Sequence, residues 1–326
     1  MIVVTGATGH IGNVLVKALV KKEEKIRAFV MPSESLIPLK DLDIEIFYGD
    51  VRNLKSLEEA FRNADVVYHL AGIVSILKKN KNIYDINVGG TKNVIKACLS
   101  CHVRRLVYMS SIHAFEEPPK GVSIIETKSF DPSKVVGEYA KSKAMATIEV
   151  LKAKDEGLDA IIVHPTGVIG PYEYKLSNMG QMIYNFMKGK IRFYIKGAYD
   201  FVDVRDVVSG TILACEKGQS GENYILSGEQ ITVKKIFDIL SKELNVRCPS
   251  VEIPTWMVKS TAPISEFFHD LFKISEQQIY TPYSIHTLLS NSLTSHEKAS
   301  RELGYSPRNI ETSIKDTAEW IKELYH

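Results

Sequence analysis

A chain of 326 residues, 44% hydrophobic and 25% charged, has ordinary globular proportions and room for a large core domain with a smaller one attached. Its net charge of +2 is too near balance for a nucleic-acid or membrane-surface binder, so neither partner is expected. No apolar run approaches the ~18 residues of a membrane span, and Met1 leads into Ile2-Val3-Val4 without a leader's basic start and cleavage site, so a cytoplasmic protein is expected.

Short apolar runs then alternate with stretches at helical spacing, the pattern of a doubly wound parallel α/β sheet. Ile2–Val4 reads as the first strand and His10–Lys21 as the helix after a glycine-rich turn. Ile26–Val30 is the second strand, ending before Pro32. Ile44–Tyr48 is the third, and Ser56–Arg62 sits in the helix after it. Val66–Leu70 is the fourth, followed by a long helix around Val88–Leu99. Leu106–Met109 is the fifth and runs into Ser110-Ser111. A helix follows from about Val135 to Asp155, stopped by Gly157, and Ile161–Val163 is the sixth strand.

Beyond Pro171 the alternation loosens. Gln181–Lys188, Val233–Leu244, Thr255–Phe272 and Ile310–Leu324 carry helical spacing, with short strand-like pieces between them. The reading is therefore a Rossmann-type domain over 1–170. A smaller mixed α/β lobe covers most of 171–326, with a stretch at about 198–215 returning to the first domain.

Four scattered cysteines are too few for a disulfide framework. Cys98-Leu-Ser-Cys101 has redox or metal spacing, but Cys98 falls on the apolar face of Val94, Ile95 and Ala97, where cysteine serves as a small buried residue. No second ligand pair stands at zinc-site spacing, so no metal is expected.

Two motifs carry chemistry. Thr5-Gly6-Ala7-Thr8-Gly9-His10-Ile11-Gly12 follows a strand and opens a helix. In that setting Gly6 permits the tight turn, Gly9 lets backbone approach a pyrophosphate, and Gly12 allows close helix–sheet packing. The helix start offers unpaired N–H groups to phosphate, so Gly6, Thr8, Gly9, His10, Ile11 and Gly12 are the candidate cofactor cradle. NAD is recognised by an acid at the end of the second strand and NADP by an arginine there. Phe29-Val30-Met31-Pro32-Ser33-Glu34 places neither at that point, while Glu34 and Lys40 stand nearby; the reading is NAD(P), leaning to NADP.

The second motif is Tyr139-Ala-Lys-Ser-Lys143. Residues four apart share a helix face, so the Lys143 ammonium can sit beside the Tyr139 phenol and lower a pKa that is otherwise about 10. Such a pair serves proton transfer between a carbonyl and an alcohol. Alone it is ordinarily a solvated helix face; behind a dinucleotide loop and a strand-end serine pair it reads as catalytic.

With these residues the chain resembles the extended short-chain dehydrogenases/reductases, in the bacterial branch similar to dihydroflavonol reductases and 3β-hydroxysteroid dehydrogenases. Gly49-Asp50-Val51 resembles the family's adenine-binding turn, and Tyr68-His69-Leu70-Ala71-Gly72 its cofactor-lining fourth strand. Asn87-Val-Gly-Gly-Thr91 resembles the segment opening the long helix. Val107-Tyr108-Met109-Ser110-Ser111 resembles the serine strand, and His164-Pro165-Thr166-Gly167-Val168 the stretch meeting the nicotinamide carboxamide. Phe201–Asp206 and Glu302–Tyr305 resemble later landmarks.

The resemblance implies Ser111, Tyr139 and Lys143 as catalytic residues. It implies cofactor contacts from Asp50, Val51, Leu70, Ala71, Gly72, Tyr139, Lys143 and His164 to Val168, and a homodimer built on the two long helices.

The departures narrow the chemistry. Ile112 and His113 stand where 4,6-dehydratases carry Asp-Glu, which argues against dehydration. Tyr199 stands where epimerases often place a diphosphate-binding arginine, and an aromatic ring cannot replace that bidentate grip. Arg192 and Lys196 nearby keep a nucleotide-sugar epimerase with tightly bound NAD as the alternative. His164 replaces a family arginine, and His113 reads as a loop residue near the pocket. Trp256, Met257, Ile264, Phe267, Phe268, Leu271 and Phe272 read as core or dimer packing ahead of a lid over a lipophilic pocket. The expected activity is interconversion of carbonyl and alcohol on a small uncharged or lipophilic substrate.

Overall fold

The computed structural model describes residues 1–74, 82–257 and 282–325. Strand and helix alternate through the first half: β1 (Ile2–Thr5), α1 (His10–Val20), β2 (Ile26–Val30), β3 (Glu45–Tyr48), α2 (Leu54–Phe61) and β4 (Val66–His69), then α3 (Thr91–Ser100), β5 (Arg105–Met109), α4 (Glu138–Ala153) and β6 (Ala160–Pro165). β1, β4 and β6 are buried along their whole length, which is why they read as unbroken apolar runs.

Seven strands pair in parallel in the order β10-β6-β5-β4-β1-β2-β3, with β10 at Asn223–Leu226. The order reverses between β1 and β4, and in such sheets the ligand crevice lies beyond the carboxyl ends of the strands at that reversal. The glycine loop leaves β1 there, Leu70–Gly72 leaves β4, and Ser110-Ser111 leaves β5. Helices cover both faces. Leu57 and Phe61 of α2 bury against one face and Leu15 and Val16 of α1 against the other. Each such side chain contributes ~1.5–3 kcal/mol.

Two helix starts differ from the periodicity. α4 begins at Glu138 rather than Val135, because Gly137 has φ +94°, outside the helical path. Residues Asp85–Gly90 form a wide π-helical turn ahead of α3. Cys98 is fully buried, and burial pushes its thiol up; Cys101 donates to the Glu58 carbonyl at 3.4 Å. Both are free thiols, and no metal-binding cluster occurs among the described residues.

The smaller lobe contains β7 (Gly167–Ile169), α5 (Asn178–Met187), β8 (Phe193–Ile195), β9 (Ala198–Asp203), β11 (Glu229–Thr232), α7 (Val233–Leu244) and β12 (Val251–Ile253). β7, β9 and β11 form a three-stranded sheet, and β8 pairs with β12. Ile183, Phe186, Phe237 and Leu240 pack with Ile314 of the last helix, Ile310–Tyr325. Helix α8 covers Pro282–Leu289 and α9 Glu297–Leu303, so the last helix is α10.

The stretch returning to the large sheet begins later and runs further than 198–215. β9 stays in the smaller sheet. Helix α6 (Val204–Lys217) packs beside α1, β10 becomes the seventh strand, and α9 packs against both. Four residues of β10 carry too little pattern to be recognised beforehand. Ion pairs stitch the crossing: Arg205 of α6 pairs with Asp203 and with Asp316 of α10, and Arg308 pairs with Asp206. Thr255–Phe272 falls beyond Met257 outside the described residues, so its packing is not assigned; Trp256 is exposed. Among the described residues no helix is long and apolar enough to cross a membrane.

Candidate active site

Backbone shapes the nucleotide end of the site. Gly6 has φ +68°, and a Cβ there would lie 2.7 Å from the Ala71 nitrogen; a Cβ on Gly12 would lie 2.0 Å from the Gly6 carbonyl oxygen. Gly9 is the N-cap of α1 and brings no side chain to the helix start, whose first N–H groups point out of the loop. Asn13 is fully buried and donates to the carbonyls of Gly9, His10 and Tyr172, locking the loop to the smaller lobe. The Thr8 hydroxyl donates to the Glu34 carboxylate. His10 reaches the Pro171 carbonyl through Nε2 at 2.9 Å, and burial lowers its pKa while Glu173 opposes that shift.

At the end of β4 a buried chain fixes the next wall. The Thr91 hydroxyl donates to the Asn87 carbonyl at 2.7 Å, so it accepts from His69 Nε2–H at 3.1 Å. His69 Nδ1 then accepts from the Thr5 hydroxyl at 2.8 Å, whose oxygen accepts the Ala71 N–H at 3.2 Å. Every group has a partner and one tautomer satisfies them all. Burial and the nearby Lys143 push His69 down to about 3. Asn87 continues the clamp. Its amide donates to the Ile73 carbonyl at 3.0 Å and to Ser142 Oγ at 2.9 Å, and its oxygen accepts the Ile73 N–H.

Ser111, Tyr139 and Lys143 meet beside that clamp, and all three are buried. Ser111 follows β5 and its Oγ accepts the His113 N–H at 3.2 Å, capping a short turn at Ile112–Ala114. The Ser111 hydroxyl lies close enough to the Tyr139 phenol to lower its pKa. Lys143 donates to the Met109 carbonyl at 2.8 Å and lies 5.1 Å from the centre of the Tyr108 ring. Burial is the largest effect on the two ionisable groups. It raises the phenol of Tyr139, partly opposed by Ser111, and depresses Lys143 to about 8. The expected lowering of the phenol by its neighbouring cation does not emerge: the ammonium is committed to Met109, and desolvation dominates at the phenol.

One cleft of about 950 Å³ connects these parts. Gly6, Gly9, His10, Ile11 and Gly12 line one end, with Leu70, Gly72, Ser111, Tyr139, Lys143 and Pro165 to Val168 at the centre. Met182, Ile191, Phe193, Phe201 and Phe237 line the far end, with Lys190 and Arg192 on the same stretch of wall. These residues fit a nicotinamide dinucleotide. The glycine cradle has room only for backbone, the start of α1 offers N–H groups to phosphates, and Gly72 keeps open the space beside Lys143, where a Cβ would stand 3.4 Å from Nζ.

A sequence model of the NAD-dependent epimerase/dehydratase family matches residues 2–227. The chain belongs to that family. Sterol demethylase protein B of Methylococcus capsulatus is 33% identical over 98% of both chains. A 3β-hydroxysteroid dehydrogenase/decarboxylase of Arabidopsis thaliana is 27% identical over 99% of this chain and 80% of its own length. The crystal structure of gox2253 superposes with a TM-score of 0.87 at 30% identity, over 100% of this chain and 98% of that one. Within the family the chain is an extended short-chain dehydrogenase/reductase, and it is an oxidoreductase.

Some residues expected at the cofactor do not face the cleft. His164 was expected to meet it, yet its ring is fully buried between Phe115 and Phe130, with centroids at 4.7 and 5.7 Å. Its Nδ1–H donates to the Ser111 carbonyl at 3.3 Å, and burial pushes it down to about 3, so it is a neutral prop beneath the serine. Asp50 is held below the usual carboxylate range by its hydrogen bonds to Arg52, Val51 is buried beneath Gly90, and Ala71 turns its N–H to Thr5. Thr8 faces Glu34 rather than the cleft.

Other contributors were not singled out, although Thr5, His69, Asn87 and Ser142 stand inside the motifs quoted above. Asn13 and His69 are polar residues in apolar stretches, which was the available signal; the long-range partners of Thr5, Asn87 and Ser142 gave none. His113, read as a loop residue near the pocket, lines the cleft, with its ring centroid 6.0 Å from that of Tyr139.

Proposed function

We propose that this family member interconverts a secondary alcohol and its ketone on a small, largely apolar molecule, with Ser111, Tyr139 and Lys143 handling the proton. The observation that carries this reading is that Ser111 and Tyr139 line one cleft close enough for the serine hydroxyl to lower the phenol's pKa, with the buried Lys143 one helical turn away and walls that are mainly apolar side chains. A nicotinamide, when bound, supplies or takes up the hydride.

In reduction the Tyr139 phenol gives its proton to the carbonyl oxygen, and the Ser111 hydroxyl donates a hydrogen bond to the charge growing there. Burial keeps that phenol protonated at neutral pH, as an acid must be. The Lys143 ammonium, charged below about pH 8 and held on the Met109 carbonyl, keeps a positive charge one helical turn from the phenolate left behind. In oxidation the phenolate takes the alcohol proton. The names of the sterol and hydroxysteroid relatives agree with an apolar substrate.

We infer NAD as the cofactor, reversing the lean to NADP. The Glu34 carboxylate is hydrogen-bonded to Thr8 at the glycine loop, where a ribose hydroxyl finds an acceptor and a 2′-phosphate meets repulsion. The alternative, a nucleotide-sugar epimerase, rests on Arg192 and Lys190 at the cleft; Lys196 is not among its lining, and Tyr199 is hydrogen-bonded to His113.

The test mixes purified protein with NADH or NADPH and a panel of alicyclic ketones and UDP-sugars, following absorbance and product. Steady NADH oxidation with a ketone is the expected result; sugar conversion without net oxidation would replace this reading with the epimerase. Tyr139→Phe should lower ketone turnover by about 10³-fold while NADH affinity stays within about 3-fold of wild type.

A further inference from the structure

A second, smaller cavity lies behind the catalytic centre. Its volume is about 170 Å³, and its walls mix Ile112, Phe115 and Val135 with Glu116, Lys134 and Asp200. It shares His113, Thr166, Tyr199 and Thr287 with the main cleft. Two of these shared residues are joined to one another. The Tyr199 hydroxyl and His113 Nε2 are 3.1 Å apart, and the rings stack at 6.1 Å with an interplanar angle of 18°.

Each ring is also held from its other side. His113 meets the Tyr139 ring edge-on at 6.0 Å and its backbone N–H donates to Ser111 Oγ, while Tyr199 meets Phe201 edge-on at 5.5 Å. Thr166, on the walls of both spaces, is tied by its hydroxyl to Asp200 at 2.6 Å. The imidazole is neutral over the ordinary pH range, because burial and His286 push it down to about 4.

We propose that the His113–Tyr199 pair is a specificity-determining partition. It separates the reacting carbon from the second cavity, so substrates carry no bulky group beside that carbon on the His113 side. The proposal rests on the assignment of Ser111, Tyr139 and Lys143 as the reacting centre. The second space is of a size that matters: about 150 Å³ is enough to hold benzene, and Ile112, Phe115, Val135 and Ala140 supply an apolar part of its wall. Opening the partition from either side should therefore admit a phenyl group.

The experiment compares cyclohexanone with 2-phenylcyclohexanone, using the 326-residue protein and NADH, in wild type, Tyr199→Ala and His113→Ala. The kcat/KM ratio of the phenyl ketone to cyclohexanone should rise at least about 10-fold in both variants, the scale on which a pocket discriminates an added apolar group. General damage to Ser111 or Tyr139 lowers both substrates together and leaves the ratio unmoved. A ratio within about 3-fold of wild type in both variants overturns the partition. If wild type reduces neither ketone, the catalytic reading falls. Calorimetric affinities of the same two ketones then decide the partition by the same ratio.

Discussion

At the glycine loop the walls of the cleft are backbone. Gly6 and Gly12 leave no room for a Cβ, and Gly9 caps α1 without a side chain. Across the cleft, in the smaller lobe, the walls are side chains such as Met182, Ile191, Phe193 and Phe237, set on short strands and helices. A backbone wall admits one residue type at each tight point, whereas a side-chain wall accepts many apolar residues of similar volume. The nucleotide end is therefore brittle to substitution, and the substrate end is where specificity can drift.

The sharpest test of that contrast pairs one substitution from each wall. Gly12→Ala drives a methyl into the Gly6 carbonyl and should weaken NADH binding by more than about 100-fold, read by fluorescence titration. Met182→Leu, a volume-conserving swap, should change NADH affinity by less than about 3-fold. Comparable effects from both would break the comparison.

Lys143 gives the next largest effect, with opposite signs in activity and stability. Its pKa is depressed from 10.5 to about 8, so the ammonium is present below pH 8 and lost above it. Ketone reduction by wild type should accordingly fall as pH rises through about 8. Lys143→Arg keeps its charge and should lack that arm whatever its absolute rate. Between pH 8 and 10.5 the unfolded chain holds this proton and the folded one does not. The group's contribution to stability should then rise with pH, by up to about 1.4 kcal/mol per unit. Denaturant titrations of wild type and Lys143→Met across that window isolate the contribution; identical slopes would count against it.

The smallest effect concerns Glu34. Glu34→Gln keeps a hydrogen-bonding group beside Thr8 and removes the charge, and should raise the NADPH-to-NADH ratio of kcat/KM roughly 10-fold, or about 1.4 kcal/mol. An unchanged ratio would remove Glu34 from cofactor selection.

The same contrast explains what could be read from the residues alone. The glycine spacing and Tyr139-x-x-x-Lys143 were legible because each is local: a turn needs its glycines within one loop, and two groups on one helix face need a fixed interval. Ser111 was legible through the strand that ends beside it.

The chain at His69 was not, since its partners Thr5 and Thr91 lie 64 and 22 residues away and only the sheet brings them together. Asn87 likewise meets Ser142 across 55 residues. His164 was misplaced because position in a motif says nothing about which way a ring turns, and Phe115 and Phe130 decide that. β10 escaped notice because four buried residues resemble any short apolar run. In the smaller lobe the helices were recognisable from their spacing, yet which side chains face the cleft depends on how short strands pair.

The carbonyl that receives the Lys143 ammonium belongs to Met109, the last residue of β5, and Ser110 and Ser111 come next. The helix bearing the acid and the strand leading to the serine are thus moored at that oxygen, and again one residue on, where the hydroxyls of Ser110 and Thr147 of α4 lie 2.7 Å apart. Any drift of α4 tows the serine with it, so the distance between phenol and hydroxyl survives displacements that would separate unlinked groups. Adapting such a scaffold to a ligand of another shape is work for the opposite bank.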